Sequence, residues 1–356
     1  MKTNHSNFLK LAFNIAKINL GKTSLNPSVG CVVVRNNSVI SSGHTSLKGR
    51  PHAEFNALKF KKNFKNSDLY TTMEPCTHYG ITPPCTNVIA KKGIKRVFFS
   101  FNDTDKRTAK KSKAKLAKKK IKVYKKFSND FHDFYKSYFL FKKDTIPYVD
   151  AKIAISKDYL TINKKSKWVT NSLSRNRVHL IRSEYDAIIS TSKTINNDNS
   201  LLNCRLNGLN NNKPDLVIID LNLRIKTKLN IFKKDIKRKI FIVTSVLKGK
   251  KISYLRKKGI KIIPTKSLKN KNDFINLFMN LKKYTYNRIL VESGLMFLNE
   301  LLKKELIFNL YIFQSSARLG KNGRNNTSNN IIKKLRLKKK IKVNLNGDNL
   351  YKVKIK

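Results

Sequence analysis

Cysteine is scarce, with four residues in a chain of 356 at uneven spacings. That excludes a disulfide framework and leads us to expect reduced thiols in a cytoplasmic protein. No apolar run approaches the roughly 20 residues needed to cross a bilayer. The opening MKTNHSNFLK also lacks the apolar core of a signal peptide, so no membrane partner is expected. Acidic residues are few as well, 21 against 77 basic ones, for a formal charge of +56. Such a balance invites a nucleic-acid partner. Yet the lysines run along nearly the whole chain, mixed with Asn, Ile, Phe and Tyr, which share AT-rich codons. Compositional drift accounts for the excess, and charge alone speaks to solubility and steering. Self-repulsion at this charge predicts a marginally stable protein.

Apolar residues make up 40% of the chain, including 20 Phe and 13 Tyr, enough for real cores. The length predicts two domains. Phe8, Leu11, Ala12 and Ile15 share one helical face behind Ser6, a candidate N-cap. GCVVV and SVISSGH flank Asn36-Asn37 as strand, turn and strand. A helix near His52, the strand SDLYTTM, another helix and the buried strand RVFFSF continue the alternation of an α/β layer fold. The lysine-dominated stretch from Lys106 to Lys126 reads as a solvated helix–strand unit, because an RNA-binding surface would want stacking aromatics that are nearly missing there. After the aromatic segment NDFHDFYKSYFLF a second alternation begins, with YVDAKIAIS, DAIISTS, DLVIID, KIFIVTS and RILVESG as strands. The boundary is expected near residues 144–147, giving domains 1–145 and 146–356. Asn207 to Pro214 reads as a loop.

Two of the four cysteines sit in EPCTHYGITPPC, Glu74 to Cys85, stiffened by Pro75, Pro83 and Pro84. Upstream lies PHAEF. One His and two Cys, His52, Cys76 and Cys85, make a soft three-ligand set suited to zinc, with the fourth tetrahedral position left for water. Glu54, two residues beyond His52, is then a non-ligand carboxylate able to shuttle a proton. H-x-E followed by P-C and a later Cys is the arrangement of zinc deaminases. The plainer reading makes His52 a helix-surface residue and the cysteines core fillers.

Eight residues separate these cysteines, where nucleic-acid and cytidine deaminases have two. With that spacing, NPSVGCVVV, SGH, HAE and EPCTHYGITPPC resemble the deaminase half of the bifunctional riboflavin-biosynthesis deaminase–reductase. The resemblance implies a cytidine-deaminase-like three-layer α/β/α domain. It implies His52, Cys76 and Cys85 as zinc ligands, Glu54 as acid/base, and Asn26, His44 and His78 as substrate contacts. It runs on through KIAIS, SKWVT, the Arg182 helix, TSKTINNDNSLLNCR and VESG, implying a dihydrofolate-reductase-like α/β domain that uses NADPH. By position, Ala154, Trp168, Thr194, Asp198 and Gly294 are similar to NADPH-contacting residues. Ser166, Arg182, Leu202, Arg205 and Glu292 are similar to substrate-contacting ones. Two arginines suit a sugar phosphate, which a guanidinium binds bidentately. Gly294, at a strand-to-helix turn, lets backbone amides approach a pyrophosphate. The partner implied is a small pyrimidine ribosyl phosphate, with self-association through the reductase domain.

Taken singly, these residues have plainer readings: Trp168 as core, Arg182 and Arg205 as surface, Ser166, Thr194 and Asp198 as turn or cap residues, Gly294 as a strand end. Cys31 and Cys204 read as plain thiols, and His179 as partly exposed. The sequence also departs from the family. Ile81 replaces a basic residue before TPPC. Asp103-Thr104-Asp105-Lys106 replaces Asp-Pro-Asn-Pro, without the glycines that follow. Tyr159 replaces a glycine, and a strand end reads Ser-Ala-Arg-Leu-Gly up to Gly320. The alternatives are a deaminase whose reductase half has decayed, a tRNA adenosine deaminase with a basic extension, and a zinc-stabilised RNA-binding protein.

Overall fold

The computed structural model describes residues 4–126, 131, 133–143, 145–209, 214–233, 238–338 and 340–356. Part of the expected loop Asn207–Pro214 (210–213), part of the aromatic segment (129, 130 and 132) and boundary position 144 lie outside them. The chain divides into two compact units, Met1–Thr145 and Ile146–Lys356.

The first unit runs α1 (His5–Ala16), β1 (Gly30–Arg35), β2 (Ser38–His44), α2 (Ala53–Leu58), β3 (Asp68–Met73), α3 (Cys85–Lys91), β4 (Arg96–Phe101), α4 (Ser112–Ala117), β5 (Lys122–Lys125) and α5 (Lys136–Lys142). Its five strands lie in the order β2-β1-β3-β4-β5. The β1 strand pairs antiparallel with β2 and β3, and the rest pair parallel. Strand side chains alternate between faces. Val32, Val34, Tyr70 and Phe98 therefore meet Leu9 and Ala12 of α1, while Cys31, Val33, Leu69 and Val97 meet Ala53, Ala57, Ile89 and Leu116 of the other helices. The sheet is the middle of three layers. The asparagines between β1 and β2 turn the chain with positive φ, 50° at Asn36 and 61° at Asn37, as a two-residue hairpin requires. Gly43 seats α2 closely, since a Cβ there would lie 2.4 Å from the Ala57 nitrogen and 2.6 Å from the Ala53 carbonyl.

The second unit runs β6 (Tyr148–Ile155), β7 (Ile162–Asn163), α6 (Ser172–Arg182), β8 (Ala187–Thr191), α7 (Ser192–Asp198), β9 (Asp215–Ile219), β10 (Ile240–Thr244), α8 (Lys250–Lys257), β11 (Lys261–Pro264), α9 (Lys271–Lys283), β12 (Arg288–Glu292), α10 (Leu295–Lys303), β13 (Asn309–Gln314), β14 (Gly323–Arg324) and β15 (Asn349–Lys354). Eight strands form one sheet, ordered β11-β10-β9-β8-β12-β6-β13-β15, with β15 alone antiparallel to its neighbour. Parallel strands buried on both faces need apolar side chains in both directions. Accordingly Ile189, Val217 and Val243 pack under α9 and α10, and Ile188, Ile218 and Ile242 pack under α6 and α8. No helix among the described residues is long and apolar enough to cross a membrane.

Three expectations need correction or refinement. The cap of α1 is Asn4, whose side chain accepts from the Asn7 amide, not Ser6. The earlier start lets His5 stack on Phe98 at 4.3 Å and bond the Tyr70 hydroxyl at 2.8 Å. His179 is buried rather than partly exposed, because its Nδ1 is satisfied by the Asn203 carbonyl at 2.8 Å. Trp168 is not core. It is 48% exposed, with Arg175 and Lys167 within 4.6 and 5.2 Å of its ring centre. Cys31 and Cys204 are both buried thiols.

Candidate active sites

The chain enters α2 through His52, held extended at the N-cap, which places Glu54 in the buried first turn. It leaves β3 through Glu74 and Pro75 and returns at Cys85, the first residue of α3 behind Pro84. The Cys85 amide donates to Cys76 Sγ at 3.2 Å, and the Thr86 amide to the Cys76 carbonyl at 3.2 Å, closing the loop on itself. His52 Nδ1 then lies 3.6 Å from Cys76 Sγ and 3.5 Å from Cys85 Sγ. A tetrahedral zinc with Zn–N near 2.0 Å and Zn–S near 2.3 Å holds N and S about 3.5 Å apart. Both N–S separations thus match the metal, and all three donor atoms lie within 4.8 Å of one another. They are the one such His/Cys/Asp/Glu group among the described residues.

Glu54 Oε2 is 3.5 Å from Cys85 Sγ, and Oε1 accepts from Thr71 Oγ1 at 3.4 Å. Burial pushes its carboxyl above the ordinary range, as a proton carrier requires. Cys76 is down at about 4, first because the Cys85 thiol donates to it and then because His52 and the Cys85 amide do. Cys85 is raised in turn, first by that same bond to Cys76 and then by burial.

These groups open into a cavity of about 240 Å³, near the small end of ligand pockets. Asn26, Arg50, His78, Asp103, Arg107 and Lys142 contribute to its wall. Asn26 is oriented by donating to the Gly49 carbonyl at 3.0 Å, and His78 Nδ1 lies 3.0 Å from Thr108 Oγ1. His44 is not brought to this wall. It stands on β2 opposite Gly30, and its carbonyl accepts from Asn56. Sequence reasoning passed over Glu74 and Arg50. The buried Glu74 carboxylate accepts from the Asn102 side chain and from the amides of Asp103, Lys110 and Ser112 at 3.0–3.3 Å, fixing the loop after β4. Tyr138 donates to Asp103 at 2.8 Å. Arg107 holds the Asp105 carboxyl well below its usual range.

In the second unit Arg182, Arg205 and Glu292 come together. Arg182 forks onto Glu292 at 2.6 and 2.9 Å and donates to the Asn203 carbonyl at 3.1 Å. Arg205 donates to Asn203 Oδ1 at 2.6 Å, and Lys152 stands 4.0 Å from Glu292. Burial works against the Glu292 carboxylate, but Arg182 outweighs it and holds its pKa below the usual range. Neither Asn203 nor Lys152 carries a sequence signal. Leu202 is in the backbone of this turn, with φ 48° and its side chain in the core. Nearby in the fold, the Gly294 amide donates to Thr194 Oγ1 at 3.2 Å at the start of α10. A Cβ on Gly294 would come within 3.0 Å of Asn326 Nδ2, whose Oδ1 is buried with no partner. The partnerless Asn326 Oδ1 beside Gly294 is an acceptor open to a nucleotide cofactor. Ala154 lies on β6 against the core, and Asp198 ends α7 within the field of Lys167 and Lys152. Ser166 and Trp168 lie apart on an exposed segment, where Ser166 Oγ accepts from the Trp168 amide.

The family model for the cytidine and deoxycytidylate deaminase zinc-binding region matches residues 2–101, and that for the RibD C-terminal domain matches residues 147–350. The riboflavin biosynthesis protein RibD of Buchnera aphidicola subsp. Baizongia pistaciae is 33% identical over 330 residues, covering 88% of this chain and 87% of that protein. The RibD protein of Aquifex aeolicus is 30% identical over 318 residues, with 88% and 87% covered. A crystal structure from Thermotoga maritima, described as a diaminohydroxyphosphoribosylaminopyrimidine deaminase/5-amino-6-(5-phosphoribosylamino)uracil reductase, superposes with a TM-score of 0.82 at 25% identity, over 99% of this chain and 98% of that one. With both halves matched in order along one polypeptide, the chain belongs to the RibD family of riboflavin-biosynthesis deaminase–reductases.

Proposed function

We propose that the chain carries out two successive reactions of riboflavin biosynthesis: hydrolytic loss of the 2-amino group from a diaminopyrimidinone ribosylamino 5′-phosphate, then NADPH-dependent reduction of its ribosyl group to ribityl. The observation that carries this reading is the convergence of His52, Cys76 and Cys85 at zinc-ligand spacing with the Glu54 carboxyl 3.5 Å from one of them. Zinc bound there supplies Lewis-acid activation of water. Glu54 takes a proton from the attacking water and returns it to the amine, which leaves as ammonia while a carbonyl forms on the ring. The raised pKa of Glu54 suits both halves of that transfer. Asn26 and His78, each oriented by a hydrogen bond, hold the ring.

In the second unit, NADPH supplies a hydride when bound, and Gly294, Thr194, Asn326 and Asp198 hold the cofactor. Arg205 faces the sugar phosphate, since Arg182 is committed to Glu292. The altered strand end before Gly320 still closes, because Asp158 accepts from the Leu319 and Gly320 amides at 3.1 and 2.8 Å. That favours a working reductase over a decayed one. A tRNA adenosine deaminase is not favoured, since it leaves residues 147–350 without a role. The test is to incubate the purified protein with the diaminopyrimidinone phosphate, first without and then with NADPH. Ammonia release followed by NADPH oxidation is expected. Ammonia without NADPH oxidation overturns the second half of the proposal, and no ammonia overturns the first.

A further inference from the structure

The deaminase cavity has three strong cations on its wall, and they are not equivalent. Arg107 is committed to Asp105, with Nε at 3.0 Å and Nη2 at 2.7 Å, and Lys142 stands 3.6 Å from the same carboxylate. Arg50 is different. Its Nη1 donates to the Thr82 hydroxyl at 2.9 Å, and among the described residues no carboxylate pairs with it. It comes from the segment before α2, yet its guanidinium lies on the loop between the two cysteine ligands. A Cβ on Gly80 would sit 3.0 Å from its Nη2. Arg50 therefore touches both neighbours of Ile81. Ile81 itself is 88% exposed and adds nothing to the wall.

We propose that Arg50 is the residue by which this chain recognises the 5′-phosphate of its deaminase substrate, supplying from the α2 side the positive charge that position 81 lacks. The inference rests on the deaminase reading above and deepens it. A guanidinium with donors unspent and no internal counter-ion is suited to fork onto a phosphate. Thr82 fixes its plane, so little rotamer freedom remains to be lost on binding. The charge is half-buried at the rim of a narrow cavity, where it is screened less than a fully exposed lysine. The ring then meets the metal ligands and Glu54 at the floor while its phosphate stays at the mouth.

The test compares Arg50→Ala, Arg50→Lys and the double variant Arg50→Ala/Ile81→Lys on the phosphorylated substrate and its dephosphorylated nucleoside. Bound zinc is measured in each to verify the fold. Loss of charge-assisted hydrogen bonds predicts a KM for the phosphorylated substrate about ten- to a hundredfold higher in Arg50→Ala, with kcat little changed and the nucleoside unaffected. Arg50→Lys is expected to fall between, and Ile81→Lys to restore part of the loss. Equal losses on both substrates, or no loss on either, overturn the proposal. Binding of ribose 5-phosphate to the zinc-loaded protein, followed by ³¹P NMR, separates this idea from the deaminase reading. If no variant and no wild-type protein releases ammonia, the deaminase reading fails. An Arg50-dependent component of ribose 5-phosphate binding then still upholds the phosphate site, and its absence sinks it.

Discussion

Glu54 and Tyr159 each put one feature of the two units to a single-residue test. Glu54→Gln keeps the shape of the acid and removes its proton traffic. Deamination is expected to fall by about 10²–10⁴-fold with zinc still bound, measured by ammonia release and metal content. Equal loss of metal would make the carboxylate structural. Tyr159 occupies a left-handed conformation, φ 65°, which favours glycine, and its ring packs against the core of the second unit. Packing against the core offsets backbone strain. Tyr159→Ala and Tyr159→Gly both delete the ring, so their difference isolates the backbone. The alanine variant is expected to be less stable by about 1 kcal/mol in urea unfolding. His179, buried against Asn203 beside Arg182 and Arg205, has its pKa lowered from 6.5 to about 4, first by burial and then by the two arginines. Its neutral form is the folded form. The stability it contributes is complete above pH 6.5 and is lost as pH falls towards 4, on the order of 2 kcal/mol. Urea midpoints from pH 7 to 4 should fall less steeply in His179→Asn, which retains an N–H towards Asn203.

Among the elements, the β1–β2 hairpin was the most legible from sequence. Alternating apolar strands around Asn-Asn demand a turn with φ positive at both positions, and the turn adopts it. Asn37 is exposed, so Asn37→Gly is expected to stabilise the first unit by a few tenths to about 1 kcal/mol, read from its thermal midpoint. The convergence of His52, Cys76 and Cys85 was legible for a different reason. Cysteine is so scarce here that two of them near a histidine stand out, and the ligand spacing follows. Arg50 was not legible. Its partner Thr82 is 32 residues away, and one arginine among 77 basic residues announces nothing. The α1 cap was misjudged because Asn4 and Ser6 are both good caps two residues apart, and only the stacking of His5 on a distant strand decides between them. His179 was misjudged for the same kind of reason, since the carbonyl that buries it comes from a turn 24 residues on.

At the scale of the whole molecule, two cores and one candidate metal site imply two separable responses. Metal held in the first unit alone stabilises that unit alone by mass action. Chelation by EDTA is therefore expected to lower one unfolding transition and leave the other in place, as followed by calorimetry. A single transition that shifts as a block would contradict it. The net charge of +56 sets the background, a chain that has accumulated lysine almost everywhere. The loop after β4 carries part of that charge, with Lys106, Arg107, Lys110 and Lys111. Its course is pegged from beneath by main-chain amides hanging on the Glu74 carboxylate. The peg grips three backbone amides and one side chain, that of Asn102, so most of its hold does not depend on residue type. Loss of the Glu74 carboxylate would release those three amides at once.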